Sequence, residues 1–123
     1  MKVGDIMTRD VKTVHPEAAL QQAAQMMAAL DVGLMPVTED GELLGMITDR
    51  DIAVRAVARG YDPTITPVRN AMTEMVICGS PQQDITEAAN LMKVHQIRRL
   101  PVLDQHNHLI GDRVTWRPLK GRR

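Results

Sequence analysis

Two stretches of the chain have nearly the same pattern. Residues 5–37 read DIMTRDVKTVHPEAALQQAAQMMAALDVGLMPV, and residues 70–102 read NAMTEMVICGSPQQDITEAANLMKVHQIRRLPV. An offset of 65 residues aligns nine identities, at Met7, Thr8, Val11, Pro16, Ala23, Ala24, Met27, Pro36 and Val37. A repeat of this length indicates an architecture of two copied units, before any local pattern is considered.

Each copy has the pattern of a small βαββα unit. Apolar residues recur every three or four positions from Ala18 to Leu30, which predicts an amphipathic helix with Pro16 in its first turn. In the second copy Ser80 to Gln83 has the form of a capping box before the equivalent helix. Apolar runs at 34–37 and 43–47 flank turn residues and predict an antiparallel hairpin. The stretch from Asp49 to Ala58 then predicts a helix ended by Gly60.

Composition narrows the class of protein. The 123 residues contain no apolar run of the ~18 residues that cross a bilayer, so we expect a soluble, cytoplasmic protein without a membrane partner. The single cysteine, Cys78, excludes an internal disulfide and is expected to be a core residue of a strand at 76–78. Residues 1–112 carry ten basic and fifteen acidic side chains, a net charge of minus five, which disfavours nucleic acid as a partner.

The ordered motifs resemble those of the cystathionine β-synthase-like (CBS) domain. The first copy carries them at residues 3–8, 13–16, 35–37 and 45–52, and the second at residues 71–73, at Pro81 and at residues 98–102. The resemblance implies an α/β (α+β) fold of two pseudo-symmetric βαββα-type repeats packed sheet to sheet, a Bateman module. We expect repeat 1 at 1–60, a linker at 61–69, an incomplete repeat 2 at 70–111 and an atypical basic tail at 112–123.

The same resemblance implies a regulatory function. Tandem CBS pairs bind adenine-containing ligands, among them AMP, ADP, ATP, NAD and S-adenosylmethionine, in clefts between the repeats, and they usually form homodimers. We therefore expect a sensor that signals to an effector protein in trans and is not an enzyme. A dimerising interaction scaffold with vestigial pockets is the alternative. No metal is expected, since only His106 and His108 are close in sequence and no third ligand is evident.

The resemblance also implies roles for particular residues. The ribose-binding pattern falls on Gly45, Thr48 and Asp51, where a carboxylate can accept hydrogen bonds from both ribose hydroxyls. Without a ligand, Thr48 and Asp51 would simply form a capping box. Helix N–H groups and arginines are candidate phosphate partners. The predicted ligand-binding residues are Thr13 and Val14 at the base edge, Met35, Pro36 and Pro101 on the adenine-facing strands, Thr48 and Asp51 at the ribose, and Arg50, Arg98 and Arg99 at the phosphate.

The second copy departs from the family pattern after Gly111. Residues 112–118 read DRVTWRP, which lacks both ribose-binding side chains and places Pro118 where a helix should continue. We therefore expect one ligand per chain and no final helix. A single-base insertion after the Gly111 codon would explain the tail, and the gene sequence tests that hypothesis.

Overall fold

The computed structural model describes residues 1–74 and 76–114. The helices are α1 (Val3–Ile6), α2 (Leu20–Leu30), α3 (Asp49–Asp51) and α4 (Ile85–His95), and the strands are β1 (Leu34–Glu39), β2 (Glu42–Thr48), β3 (Arg99–Leu103) and β4 (Leu109–Val114). α3 continues as a π-helical turn (Ile52–Ala56) and a 3₁₀ turn (Val57–Arg59), and a further 3₁₀ turn spans Val68–Asn70. The α/β fold with two repeats is confirmed. The predicted absence of a final helix lies outside the described residues.

Both predicted hairpins are present and antiparallel. β1 pairs with β2 from Leu34 opposite Thr48 to Glu39 opposite Glu42, through a turn at Asp40 and Gly41. Both turn residues have positive φ, of 52° and 84°, which matches the twist of a two-residue hairpin and favours Asp-Gly. β3 pairs with β4 in the same way through a longer turn. Gly60, with φ 78°, ends the helical segment that follows β2, as predicted.

The chain forms two compact units, and each unit contains the leading segment of the other repeat. The β1–β2 unit comprises Lys12–Val76, and the β3–β4 unit comprises Met1–Val11 with the described residues from Ile77 on. In the β1–β2 unit Thr73 bridges Met46, and in the β3–β4 unit the repeat-equivalent Thr8 bridges Asp112. The predicted repeat boundaries therefore differ from the boundaries of the compact units, because the start of each repeat packs on the hairpin of the other.

Glycine is required at the point where each leading segment meets its hairpin. A Cβ built on Gly45 would lie 2.5 Å from Thr73 O, and one built on Gly111 would lie 2.7 Å from Thr8 O. Both distances are below van der Waals contact, so a side chain at either position would push the bridging strand away. The two glycines thus allow the same close approach of leading segment to hairpin in both units.

A separate apolar core fills each unit. The core of the β1–β2 unit is built from α2, both strands and the start of the second repeat, and its fully buried residues are Leu20, Ala23, Val37, Ile47, Ala56 and Val68. The core of the β3–β4 unit contains Val3, Leu100 and Val102, which are fully buried, with Met7, Ala88 and Met92. Among the described residues, no helix is both long and apolar enough to span a membrane.

Two local predictions about helix starts are wrong. α2 begins at Leu20 and α4 at Ile85, several residues after Pro16 and Pro81. Each proline instead lies second in a turn, in which Ala18 N–H donates to His15 O and Gln83 N–H donates to Ser80 O. Proline presets the φ angle that this turn position needs, as well as it does in a first helical turn. Ser80 therefore closes a turn and does not cap α4, whose N-cap residue Asp84 makes no side-chain cap bond.

Candidate functional site

The predicted ribose-binding pair lies where β2 ends and the helical segment begins. Asp51 N–H donates to Thr48 Oγ1 at 2.9 Å, and Thr48 N–H donates to Asp51 Oδ2 at 3.0 Å. These reciprocal bonds form a complete capping box, as the local pattern of the sequence predicts. The bond from Thr48 N–H also fixes the Asp51 side chain, which is 12% exposed, at the end of the strand.

The first N–H groups of this helical segment are engaged within the protein. Asp49 N–H donates to Gly33 O at 2.9 Å, Arg50 N–H donates to Asp49 Oδ1 at 2.8 Å, and Asp51 N–H is held by Thr48. The N–H groups predicted to bind a phosphate are therefore not free in this structure. The carboxylates of Asp49 and Asp51 already lie at the positive end of the segment.

The second carboxylate oxygen of Asp51 faces Arg55. Arg55 Nε lies 3.7 Å from Asp51 Oδ1, which is within ion-pair range but too long for a hydrogen bond. The same guanidinium donates from Nη1 to Met72 O at 3.5 Å, and about half of the side chain is exposed. Arg55 lies in the π-helical turn, a feature frequent at functional sites. Sequence reasoning missed Arg55, although its i,i+4 spacing from an acid was a usable signal.

The residues predicted to face the adenine lie in the same unit as Thr48 and Asp51. Val14 N–H donates to Pro36 O, and Val14 O accepts from Thr38 N–H, both at 3.0 Å, so the Val14 backbone is engaged by β1. Val14 and Met35 are core residues, and Pro36 is also buried. Thr13 is half-buried. The β1–β2 unit therefore holds Thr13, Val14, Met35, Pro36, Thr48, Arg50 and Asp51, and the β3–β4 unit holds Arg98, Arg99 and Pro101.

Arg99 forms an internal ion pair in the β3–β4 unit. Its Nε donates to Asp112 Oδ2 at 2.9 Å, and its Nη2 donates to the same oxygen. The Asp112 side chain is only 4% exposed and that of Arg99 24%. The buried Asp112 carboxylate is thus compensated by Arg99, the arginine predicted to meet a phosphate. The neighbouring Arg98 is exposed, and Pro101 is buried.

Two other groups of chemistry-bearing residues lie outside this site, namely Cys78 and the cluster of Asp104 with His106 and His108. Cys78 is outside any strand, contrary to prediction, and its burial raises the pKa of the thiol, which disfavours the thiolate needed for nucleophilic attack. Asp104 accepts the N–H groups of His108 and His106, which hold the pKa of its carboxyl below the usual range. Among the described residues, no group of three or more His, Cys, Asp or Glu side chains could hold a metal ion.

A surface pocket of about 470 Å³ lies at the turn of the β3–β4 hairpin. It is lined by residues 80–82 and 103–106. None of the predicted ligand-binding residues lines it, so it is separate from the Thr48–Asp51 site.

The two hairpin-containing units and the Thr48–Asp51 motif define a tandem pair of small α/β domains. The family model of the CBS domain matches residues 3–57 and 68–111. The chain therefore belongs to the CBS domain family. Among curated proteins it is 48% identical to CBS domain-containing protein YhcV of Bacillus subtilis over 109 residues, which cover 89% of this chain and 76% of that protein.

Three solved structures show the same fold. Hypoxic Response Protein I, with two coordinated zinc ions, is 33% identical with a TM-score of 0.82, and the match covers 93% of this chain and 92% of that one. CBSX2 in complex with AMP is 26% identical with a TM-score of 0.80, over 92% and 89% of the two chains. The CBS domain pair of MJ0100 with 5′-methylthioadenosine and S-adenosyl-L-methionine is 25% identical with a TM-score of 0.79, over 94% and 90%.

Proposed function

We propose that this protein is a regulatory module that binds an adenine-containing ligand at the Thr48–Asp51 site. One observation carries the proposal. Thr48 N–H fixes Oδ2 of Asp51 by a hydrogen bond, whereas Oδ1 accepts none from the described residues and faces Arg55 at ion-pair distance. A carboxylate held in this way can accept hydrogen bonds from the two hydroxyls of a ribose. The complexes of CBSX2 with AMP and of MJ0100 with adenosyl compounds support an adenosine ligand.

The contacts to the base and the phosphate can be assigned according to which protein groups already have hydrogen-bond partners. Because both backbone groups of Val14 are bonded to β1, we assign the reading of the base edge to Thr13. Met35 and Pro36 are buried in this structure, so contact of their side chains with the base stays a prediction. Arg50 is exposed beside the capping box and is the phosphate partner that we favour. Arg99 is committed to Asp112, and a role for Arg98 stays a prediction.

The output of such a module is a change in a partner protein. A ligand regulates only through a difference in affinity between two conformations or assemblies of the protein that binds it. We propose that the adenosine ligand shifts such an equilibrium, that an effector protein in trans responds to it, and that the module itself catalyses no reaction.

Ligand-induced stabilisation separates this proposal from a scaffold with vestigial pockets. AMP, ATP, NAD and S-adenosylmethionine are each added to the purified protein in a thermal unfolding experiment. A ligand at 100 times its Kd adds about 2.7 kcal/mol to the free energy of unfolding, so the midpoint should rise by several degrees with at least one of them. A midpoint that none of the four compounds changes would support the scaffold.

We also propose a homodimer, with an interface that includes the end of the helical segment after β2. Val54, Val57 and Tyr61 are 48%, 59% and 44% exposed there, so three large apolar side chains meet solvent within eight residues. Val57→Asp should raise the dimer Kd at least about tenfold, because it buries a charge in the interface. Val94→Asp, at a valine of similar exposure outside this group, is the matched control. Light scattering that finds the Val57→Asp variant as dimeric as the control would contradict this interface.

A further inference from the structure

Arg55 lies beside the Asp51 oxygen that does not accept the Thr48 N–H. Asp51 Oδ2 accepts the Thr48 N–H, so Oδ1 is the oxygen with more acceptor capacity left for a ribose, and Oδ1 lies 3.7 Å from Arg55 Nε. The same guanidinium also makes a long hydrogen bond, since Nη1 donates to Met72 O at 3.5 Å. The Asp51 carboxylate and the Arg55 guanidinium that competes for it are therefore positioned by separate contacts.

Arg55 is not needed to position the carboxylate. In the capping box the Asp51 carboxylate is already fixed by the 3.0 Å hydrogen bond from Thr48 N–H to Oδ2, and the Asp51 backbone N–H is bonded to Thr48 Oγ1 at 2.9 Å. At 3.7 Å the guanidinium makes no hydrogen bond to Asp51, and its half-exposed side chain can turn towards water. What Arg55 contributes is a positive charge beside Oδ1, which has to be displaced or shared when hydroxyl donors arrive.

We infer that Arg55 acts as an electrostatic gate: its positive charge competes with the ribose hydroxyls for Asp51. This competition lowers the affinity for adenosine compounds and makes that affinity depend on salt. This inference rests on the proposed function. Replacing Arg55 by methionine removes the competing charge and keeps much of the aliphatic stem. The affinity for a ribose ligand should then rise by about two- to fivefold, the effect expected of one half-exposed ion pair.

The salt dependence distinguishes the gate from a structural role. An uncharged probe, 5′-methylthioadenosine, has no net charge of its own to be screened. Added salt weakens the Arg55–Asp51 attraction and so should tighten binding to the wild-type protein. In Arg55→Met this increase of affinity with salt should disappear. Only the general effect of salt on apolar burial should remain. Arg55→Lys keeps the charge and should restore the wild-type dependence.

The experiment is calorimetric titration with 5′-methylthioadenosine in 20 mM and in 500 mM sodium chloride. It uses the wild-type protein, Arg55→Met, Arg55→Lys, and Arg59→Met as a control that removes an exposed arginine one turn further on. The gate predicts that Arg55→Met alone binds more tightly at low salt and that the difference narrows at high salt. Equal affinities and equal salt slopes for all four proteins would overturn the gate and leave the proposed function standing. No binding to any of the four would overturn the gate, and it would overturn the proposed function as well if AMP also fails to bind the wild-type protein.

Discussion

Replacing Arg99 by leucine is expected to lower the free energy of unfolding by about 3–5 kcal/mol, because it leaves the Asp112 carboxylate buried without its partner. Asp112 is 4% exposed and accepts two N–H donors from Arg99 on one oxygen. Asp112→Met should cost less than Arg99→Leu, since the arginine left behind is 24% exposed and can turn towards water. The loss in free energy of unfolding should therefore be larger for Arg99→Leu than for Asp112→Met, because Asp112 is the more deeply buried partner.

The first repeat shows which apolar pair could replace Arg99 and Asp112. Leu34 and Met46 occupy the positions in the β1–β2 hairpin that correspond to Arg99 and Asp112, and Met46 lies opposite Pro36 as Asp112 lies opposite Pro101. The double variant Arg99→Leu/Asp112→Met should regain most of the stability lost in either single variant, and it can exceed that of the wild type. Urea unfolding of the four proteins gives the coupling energy directly.

An exposed ion pair in the same chain is the control for this cycle. Arg69 Nε lies 2.6 Å from Glu17 Oε2, but both side chains are more than half exposed. Arg69→Leu should therefore change the free energy of unfolding by no more than about 1 kcal/mol. If Arg99→Leu costs as little as Arg69→Leu, the Arg99–Asp112 pair is not the buried, obligatory contact described above.

Replacing Asp51 by asparagine is expected to weaken AMP binding by about ten- to a hundredfold, since hydrogen bonds to a charged group contribute about 1.5–3 kcal/mol each. Asparagine keeps the size of the side chain and an oxygen that can accept the Thr48 N–H, so the fold should survive. The loss would arise from presenting an amide donor, in place of a carboxylate acceptor, to the ribose hydroxyls. Titration calorimetry with AMP measures the change.

Asp49→Asn is the matched control for that variant. It removes the same charge two residues away, at a carboxylate that accepts the Arg50 N–H and is exposed. We expect less than about a threefold change in AMP affinity, because one screened surface charge has little effect. If both variants bind AMP as tightly as the wild type, Asp51 serves the helix start alone, and the ribose assignment is wrong.

The sequence predicted those parts of the fold that depend on local patterns. The hairpins follow from two apolar runs around Asp40 and Gly41, and the capping box follows from a threonine placed three residues before an acid. The helix starts were misplaced because proline fits the second position of a turn as well as the first turn of a helix. Local pattern could not decide between those two uses of Pro16 and Pro81.

Contacts between distant segments could not be read from the sequence in the same way. Met7-Thr8 and Met72-Thr73 are identical dipeptides, so nothing in them shows which hairpin each one joins. Only the structure shows Thr8 at Asp112 and Thr73 at Met46. The same holds for the site, where Arg99 matched the family motif yet pairs with Asp112, a residue that the family pattern does not contain.

The most direct test of the central claim is a crystal structure of the wild-type protein grown with saturating AMP. The account predicts one AMP per chain, with its ribose hydroxyls at about 2.7 Å from Asp51 Oδ1 and the Arg55 guanidinium moved away from that oxygen. A nucleotide bound elsewhere with the surroundings of Asp51 unchanged, or two equivalent nucleotides in one chain, would contradict it.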